Sequence, residues 1–163
     1  MEIQFKQMTL DEIEFFNSIR NECRDSLHDN SFFSLDETRE WFIKNNPLFF
    51  IIFINDQKIG YFRTSNLSHT NKNIYIGADI HKDYRGKGYS KKAYKKFIPY
   101  IIEKYNLHKI NLEVLSTNKI AINLYLSLGF KIDGIKREEV FRDNKFIDSI
   151  VMSLLKKDWE IEK

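Results

Sequence analysis

The stretch Asp83-Tyr84-Arg85-Gly86-Lys87-Gly88-Tyr89-Ser90 lies between two different hydrophobic periods. Before it, Asn73-Ile-Tyr-Ile-Gly-Ala-Asp-Ile80 has the β-branched and aromatic content of a strand. After it, Tyr89, Ala93, Phe97, Ile101 and Tyr105 recur every four residues, with Lys91, Lys92, Lys95 and Lys96 on other faces. That spacing predicts an amphipathic helix packed on a sheet. A strand, a glycine-containing turn and a helix start together make an anion site. The first N–H groups of the helix are unpaired, and its dipole adds positive potential. Gly86 and Gly88 keep side chains away from the backbone, and Arg85 and Lys87 add charge. Two phosphate loops are excluded. Gly88 is followed by Tyr-Ser rather than Lys-Ser/Thr, and Lys91 stands where a dinucleotide fingerprint needs its third glycine.

Working outward, Thr9 with Glu12 and Ser34 with Glu37 have capping-box spacing and predict the starts of two helices. Between them, residues 23–33 read as a loop. Leu48–Ile54 is a buried strand candidate, Asn55-Asp56 a turn, and Lys58–Thr64 the returning strand. Residues 66–73 read as a loop. Lys109–Leu115 reads as a strand, and Asn118–Leu128 as a short helix that Gly129 ends in left-handed conformation. Residues 131–141 and 145–155 form a closing hairpin around Arg142-Asp143-Asn144. The pattern predicts an α/β (α+β) fold on one mixed, mostly antiparallel sheet, with residues 1–163 as a single domain.

Composition narrows the function. The chain is 42% hydrophobic and 30% charged, with Phe 14 and Tyr 8, which is globular rather than disordered. A net charge of +3 is small for a nucleic-acid binder, and no apolar run is long enough to span a membrane. Residues 1–12 lack the apolar core of a signal peptide. A single cysteine, Cys23, excludes an internal disulfide and a Cys-based zinc site, and fits a cytoplasmic, reducing location. The four histidines make no metal-ligand spacing and no Ser-His-Asp arrangement. No metal, membrane or nucleic-acid partner is expected.

Residues 85–90 match the [QR]-x-x-G-x-[GA] pattern of the GCN5-related N-acetyltransferases, with Arg85 first, Gly88 fourth, and Ser90 in place of the last small residue. Asn111–Phe130, "NLEVLSTNKIAINLYLSLGF", resembles the second acetyl-CoA region of this GNAT superfamily. In particular it resembles the branch that acetylates ribosomal-protein N-termini. The order of elements resembles the GNAT fold, a central sheet of about seven strands with about four flanking helices.

The resemblance implies an acetyl-CoA-dependent N-acetyltransferase that moves acetyl directly to a primary amine. It implies that the turn Arg85, Gly86, Lys87, Gly88, Tyr89 and Ser90 holds the CoA diphosphate. The pantetheine arm would run beside Ala78, Asp79, Ile80 and His81, along backbone exposed where two strands splay. Asn118 would bond the cofactor, or simply cap its helix. Tyr125 would protonate the departing thiolate, or be a core aromatic beside Ala121 and Leu128. Glu113 would be the base, or a solvent-facing strand residue, with Asp79 as its rival. His81 reads as structural or a minor contact, and Cys23 as a core residue.

The acceptor is expected on the first two helices, their loop and the closing hairpin, with Asn21, Arg24 and Asn30 as candidate contacts. Arg20-Asn21 with "FFSLDETREWF" resembles acetyltransferases of nucleotide-linked amino sugars, whose diphosphate Arg20, Arg24 or Arg39 could meet. Glu22, Asp25, Asp29, Glu138 and Glu139 would instead suit a polyamine or a protein N-terminus. A small-molecule amine, a protein amine and a non-catalytic CoA-binding module remain alternatives. The family's hairpins also pair between subunits, which makes a homodimer an expectation.

Overall fold

Both capping boxes form as their spacing predicts. In the computed structural model, which describes residues 2–161, Glu12 Oε2 accepts from Thr9 N–H at 2.9 Å while Thr9 Oγ1 accepts from Asp11 N–H at 3.3 Å. This box opens a 3₁₀ turn, Leu10–Glu12, that runs into helix α1 (Ile13–Glu22). Ser34 and Glu37 exchange bonds of 3.2 and 2.7 Å to start α2 (Leu35–Asn45). Satisfying these orphan N–H groups is worth about 1 kcal/mol per cap.

The strands are β1 (Ile3–Gln7), β2 (Phe50–Ile54), β3 (Gln57–Ser68), β4 (Asn73–Ile80), β5 (Lys109–Leu115), β6 (Lys131–Arg142) and β7 (Lys145–Leu155). Helices α3 (Tyr89–Tyr105), α4 (Lys119–Ser127) and α5 (Lys156–Ile161) complete the fold. Asn55-Asp56 and Asp143-Asn144 all take positive φ, between 46° and 66°, as tight hairpins require. Gly129, at φ 89°, follows α4 as expected.

One expectation is corrected, and one element is added. Residues 66–73 are not all loop: Asn66 bulges at φ 52°, which lets pairing resume at Ser68 opposite Asn73. The short helix α5 also follows β7 directly, without a capping signal that the sequence could announce. Trp159 turns it back onto the core.

All seven strands share one sheet in the order β1-β2-β3-β4-β5-β7-β6. Strand alternation feeds a core on each side. Phe50, Ile52 and Phe62 meet α3 and α4, with Phe62 stacked on Phe97 at 3.9 Å. Ile51 and Tyr61 meet α1 and α2, beside Phe16, Phe42 and Phe49. Each such buried side chain contributes about 1.5–3 kcal/mol.

One pairing shapes the rest. β4 and β5 are the parallel pair, and they pair only from Asn73↔Lys109 to Tyr75↔Asn111. Beyond that point β4 stays with β3 to Ile80↔Gly60, while β5 stays with β7 to Leu115↔Ser149. The strands therefore part into a V. The β5-facing backbone of Ile76–Ile80 is left without a strand partner, because α3 leaves from the end of β4 and crosses back.

Candidate active site

The open edge of β4 leads into the turn singled out in the sequence. Gly86 and Gly88 have φ of 71° and 76°, and a Cβ at either would meet nothing within 4 Å. Glycine is needed there for its left-handed backbone, and the space beside it is open. Gly88 caps α3 without any side-chain bond, and Lys92 N–H to Gly88 O, at 3.2 Å, is the first rung of the helix. The N–H groups of Tyr89, Ser90 and Lys91 precede that rung and suit an anion.

The cations of the turn are placed otherwise than expected. Arg85 turns inward: Nε donates to Ile80 O at 2.8 Å, and Nη2 reaches Glu22 Oε1 at 2.7 Å and Cys23 Sγ at 3.1 Å. It fastens the turn to the end of α1 rather than facing an anion. Lys87 Nζ donates to Asp83 O at 2.7 Å and lies exposed on the turn. His81 has a structural role: its Nδ1 accepts from Asp83 N–H at 3.2 Å and caps a 3₁₀ turn. Burial pushes the Cys23 thiol up to about 11, so it is inert, as a core residue should be.

The V holds two phenols and an ion pair. Tyr125 rises from α4 on the α3 side, 8% exposed, and its hydroxyl accepts from that of Tyr94 at 3.4 Å. Burial raises the Tyr125 pKa, while the bond from Tyr94 and the charge of Arg63 act against that rise. The phenol is thus protonated at neutral pH. Asp79 points to the opposite face, 6% exposed. It accepts from Tyr61 Oη at 2.6 Å and pairs with Arg63 Nη1 at 3.2 Å. These partners occupy it, which removes it as a rival base. Arg63 lies across Gly77, where a Cβ would stand 2.6 Å from Nη2. Burial opposes the Arg63 charge, and the Asp79 carboxylate more than restores it. Nothing in the sequence marked Arg63; the bare Gly77 opposite it in register was the available signal.

Glu113 lies on the α1/α2 face of β5, since Leu112 and Val114 enter the other core. Its Oε1 accepts from Lys136 Nζ at 2.7 Å, and its Oε2 stands 4.0 Å from His28 Nε2. The same His28 nitrogen lies 2.7 Å from Ser149 Oγ, which is fully buried on β7. Sequence reasoning missed this contact, whose partners are 121 positions apart. Asn118 Oδ1 accepts from Ala121 N–H at 3.2 Å, so it takes its capping role.

The expected acceptor contacts are mostly otherwise engaged. Asn21 exchanges both bonds with the backbone of Phe33, at 2.8 and 3.1 Å, and is a loop clamp. Arg20 donates to the carbonyls of Ser31 and Asp29 and lies 4.4 Å over the Phe33 ring. Arg24 lies over Phe32 at 5.8 Å, and Asn30 is exposed. From the other side, Arg142 donates to the carbonyls of Asp25 and Leu27, each at 2.7 Å. The loop is therefore held as a fixed wall. Among the described residues no group of side chains could hold a metal ion, and no helix is long and apolar enough to cross a membrane.

Residues 13–130 match the Acetyltransferase (GNAT) family, well over half of the chain. This chain belongs to the GNAT acetyltransferase family. Among its relatives is an uncharacterized N-acetyltransferase p20 of Bacillus licheniformis, 30% identical over 70% of this chain and 64% of that protein. The spermidine N(1)-acetyltransferase of Escherichia coli K12 is 26% identical over 69% of this chain and 61% of that protein. The match thus spans a little under two thirds of these relatives' lengths. In fold, the chain resembles a GNAT structure, spermidine N-acetyltransferase from Vibrio cholerae in complex with CoA and spermine. The TM-score is 0.90, at 22% identity, over 97% of this chain and 98% of that one.

Proposed function

We propose that this chain is an acetyl-CoA-dependent N-acetyltransferase that moves acetyl directly to a primary amine of a small molecule. The observation that carries the reading is the V between β4 and β5, with Tyr125 on one side and Glu113 on the other. Acetyl-CoA suits the chain's residues. The β5-facing backbone of Ile76 and Ala78, left unpaired where β4 parts from β5, offers partners to the pantetheine amides, while the backbone of Asp79 faces β3. The open turn at Gly86–Ser90 offers N–H groups to the diphosphate.

The chemistry follows from the two faces. The amine approaches from the α1/α2 side, where Glu113 stands. The thioester carbon sits in the V. The C–S bond breaks with its electron pair on sulfur, and Tyr125, protonated at neutral pH, gives the thiolate its proton. A ternary complex needs no covalent enzyme intermediate.

For the acceptor, the named relatives bring forward polyamines and, with the ribosomal protein uS5-alanine N-acetyltransferase of Escherichia coli K12, a protein N-terminus. The nucleotide-linked amino sugar draws no support from Arg20, whose donors are spent on its own loop.

The test follows free thiol release from acetyl-CoA with polyamines, amino sugars, amino acids and N-terminal peptides. Turnover on one class is expected, with kcat falling about 10²-fold or more in Tyr125→Phe while acetyl-CoA binding persists. Binding without turnover on any amine would mark a CoA-binding module. No binding would overturn the reading.

A further inference from the structure

We infer that His28 takes the proton from the incoming ammonium, and that Glu113 holds the imidazolium that results. This rests on the transferase reading above. Four elements converge to build the arrangement: His28 comes from the α1–α2 loop, Glu113 from β5, Lys136 from β6 and Ser149 from β7.

A Ser-His-Glu set invites a nucleophilic reading, and the wiring excludes it. In such a triad the acid holds one ring nitrogen and the serine meets the other. Here Ser149 Oγ, at 2.7 Å, and Glu113 Oε2, at 4.0 Å, both face Nε2. Ser149 is also 0% exposed, so no acyl group reaches it. Its hydroxyl is a positioning contact for the ring.

The remaining roles follow from what each group has already spent. Glu113 Oε1 is engaged by the Lys136 ammonium at 2.7 Å, and its Oε2 looks toward the imidazole. One carboxylate oxygen is thus spent on Lys136, and the other is left facing the imidazole, placed to hold its charge once the ring is protonated. Nδ1 of His28, by contrast, has no partner among the described residues and is not sealed away. With Nε2–H donating to Ser149, Nδ1 keeps its lone pair. The ring is 35% exposed, which leaves an edge for substrate. Arg142 fixes the backbone behind it, donating to the carbonyls of Leu27 at 2.7 Å and of His28 at 3.3 Å.

The groups facing His28 agree with this assignment. Burial lowers its pKa, Glu113 and Glu139 act to raise it, and Arg63 and Lys136 act to lower it. The ring rests neutral at neutral pH and can accept a proton. Two protons leave the nitrogen in all. The ammonium gives the first to His28, which releases it to solvent. The neutral amine attacks the thioester carbon, forming C–N, and C–S breaks. Tyr125 protonates the thiolate and is restored by the second proton, so one proton is released per turnover.

The test uses His28→Gln and Ser149→Ala in the full chain, with the acceptor that the thiol-release panel identifies. Thermal melting with acetyl-CoA checks that both fold and bind. Near neutral pH, His28→Gln is expected to lose about 10²-fold in kcat/KM. That deficit is expected to shrink several-fold as pH rises to about 10, where solution itself deprotonates an alkylamine. Ser149→Ala keeps the base, so a loss under about 10-fold is expected. A deficit that stays constant with pH would mark His28 as purely structural and overturn the inference, as would no deficit. If the unmodified chain turns over no amine, the transferase reading fails and this inference falls with it.

Discussion

At the scale of single residues, the two phenols in the V divide one task. Tyr125 must be protonated to act, so its contribution is present below its pKa and is lost as pH rises through it. This sets the basic limb of the profile, while His28 sets the acid limb. Burial sets that pKa above the ordinary phenol value of 10.0, and the bond from Tyr94 moderates the rise. Tyr94→Phe removes the moderating donor. The Tyr125 pKa should climb further, which makes it a weaker acid toward the thiolate. A fall in kcat of under about 10-fold is expected, together with a basic limb displaced to higher pH. A kcat–pH profile on both proteins checks this, and a limb that moves down would refute the proposed hydrogen-bond direction. Arg63 belongs to the same balance. Its charge reaches both phenols, and it stays there because Gly77 leaves it room and Asp79 holds it.

At the scale of elements, the turn before α3 shows what a short motif can and cannot reveal. Its backbone was legible: Gly86 and Gly88 occupy the left-handed region that other residues enter at a cost of about 1–2 kcal/mol. Gly88→Ala meets no clash, so its penalty is conformational. A loss of about 1 kcal/mol in stability is expected, with acetyl-CoA affinity falling several-fold as the N–H groups of the turn lose alignment. Urea unfolding and titration calorimetry measure the two effects. Unchanged affinity would mean that this turn does not hold the diphosphate. The side chains of the same turn were not legible. Arg85 looked like an anion ligand, but its partner Glu22 lies 63 positions away. Asn21 looked like a substrate contact because its partner, the Phe33 backbone, is brought to it only by the fold. The helix caps were legible because donor and acceptor lie three residues apart, and the strands because their period is local. His28 and Ser149 were not, since no periodicity joins a loop to a distant strand.

At the scale of the molecule, the V is held open from both sides of one sheet. β2 and β3 send alternate residues into the two cores, Phe50, Ile52 and Phe62 one way, Ile51 and Tyr61 the other. Neither core can dissolve without unzipping strands that the other needs. The chain has two tryptophans, and they report the two faces separately. Trp41 stacks near Phe16 at 6.3 Å on the α1/α2 side, and Trp159 packs against the core of α3 and α4. Trp41→Phe and Trp159→Phe therefore each leave one reporter. In urea, the fluorescence of each variant should give the same midpoint as its own far-ultraviolet circular dichroism, as one cooperative transition requires. If the Trp41 signal melted first, the α1/α2 layer would be a separate unit. The wall that carries His28 could then detach from the face of the V while the α3 side stayed folded. Coincident transitions would instead mean that acid and base are held across the V by one sheet, at a separation that the same strands fix.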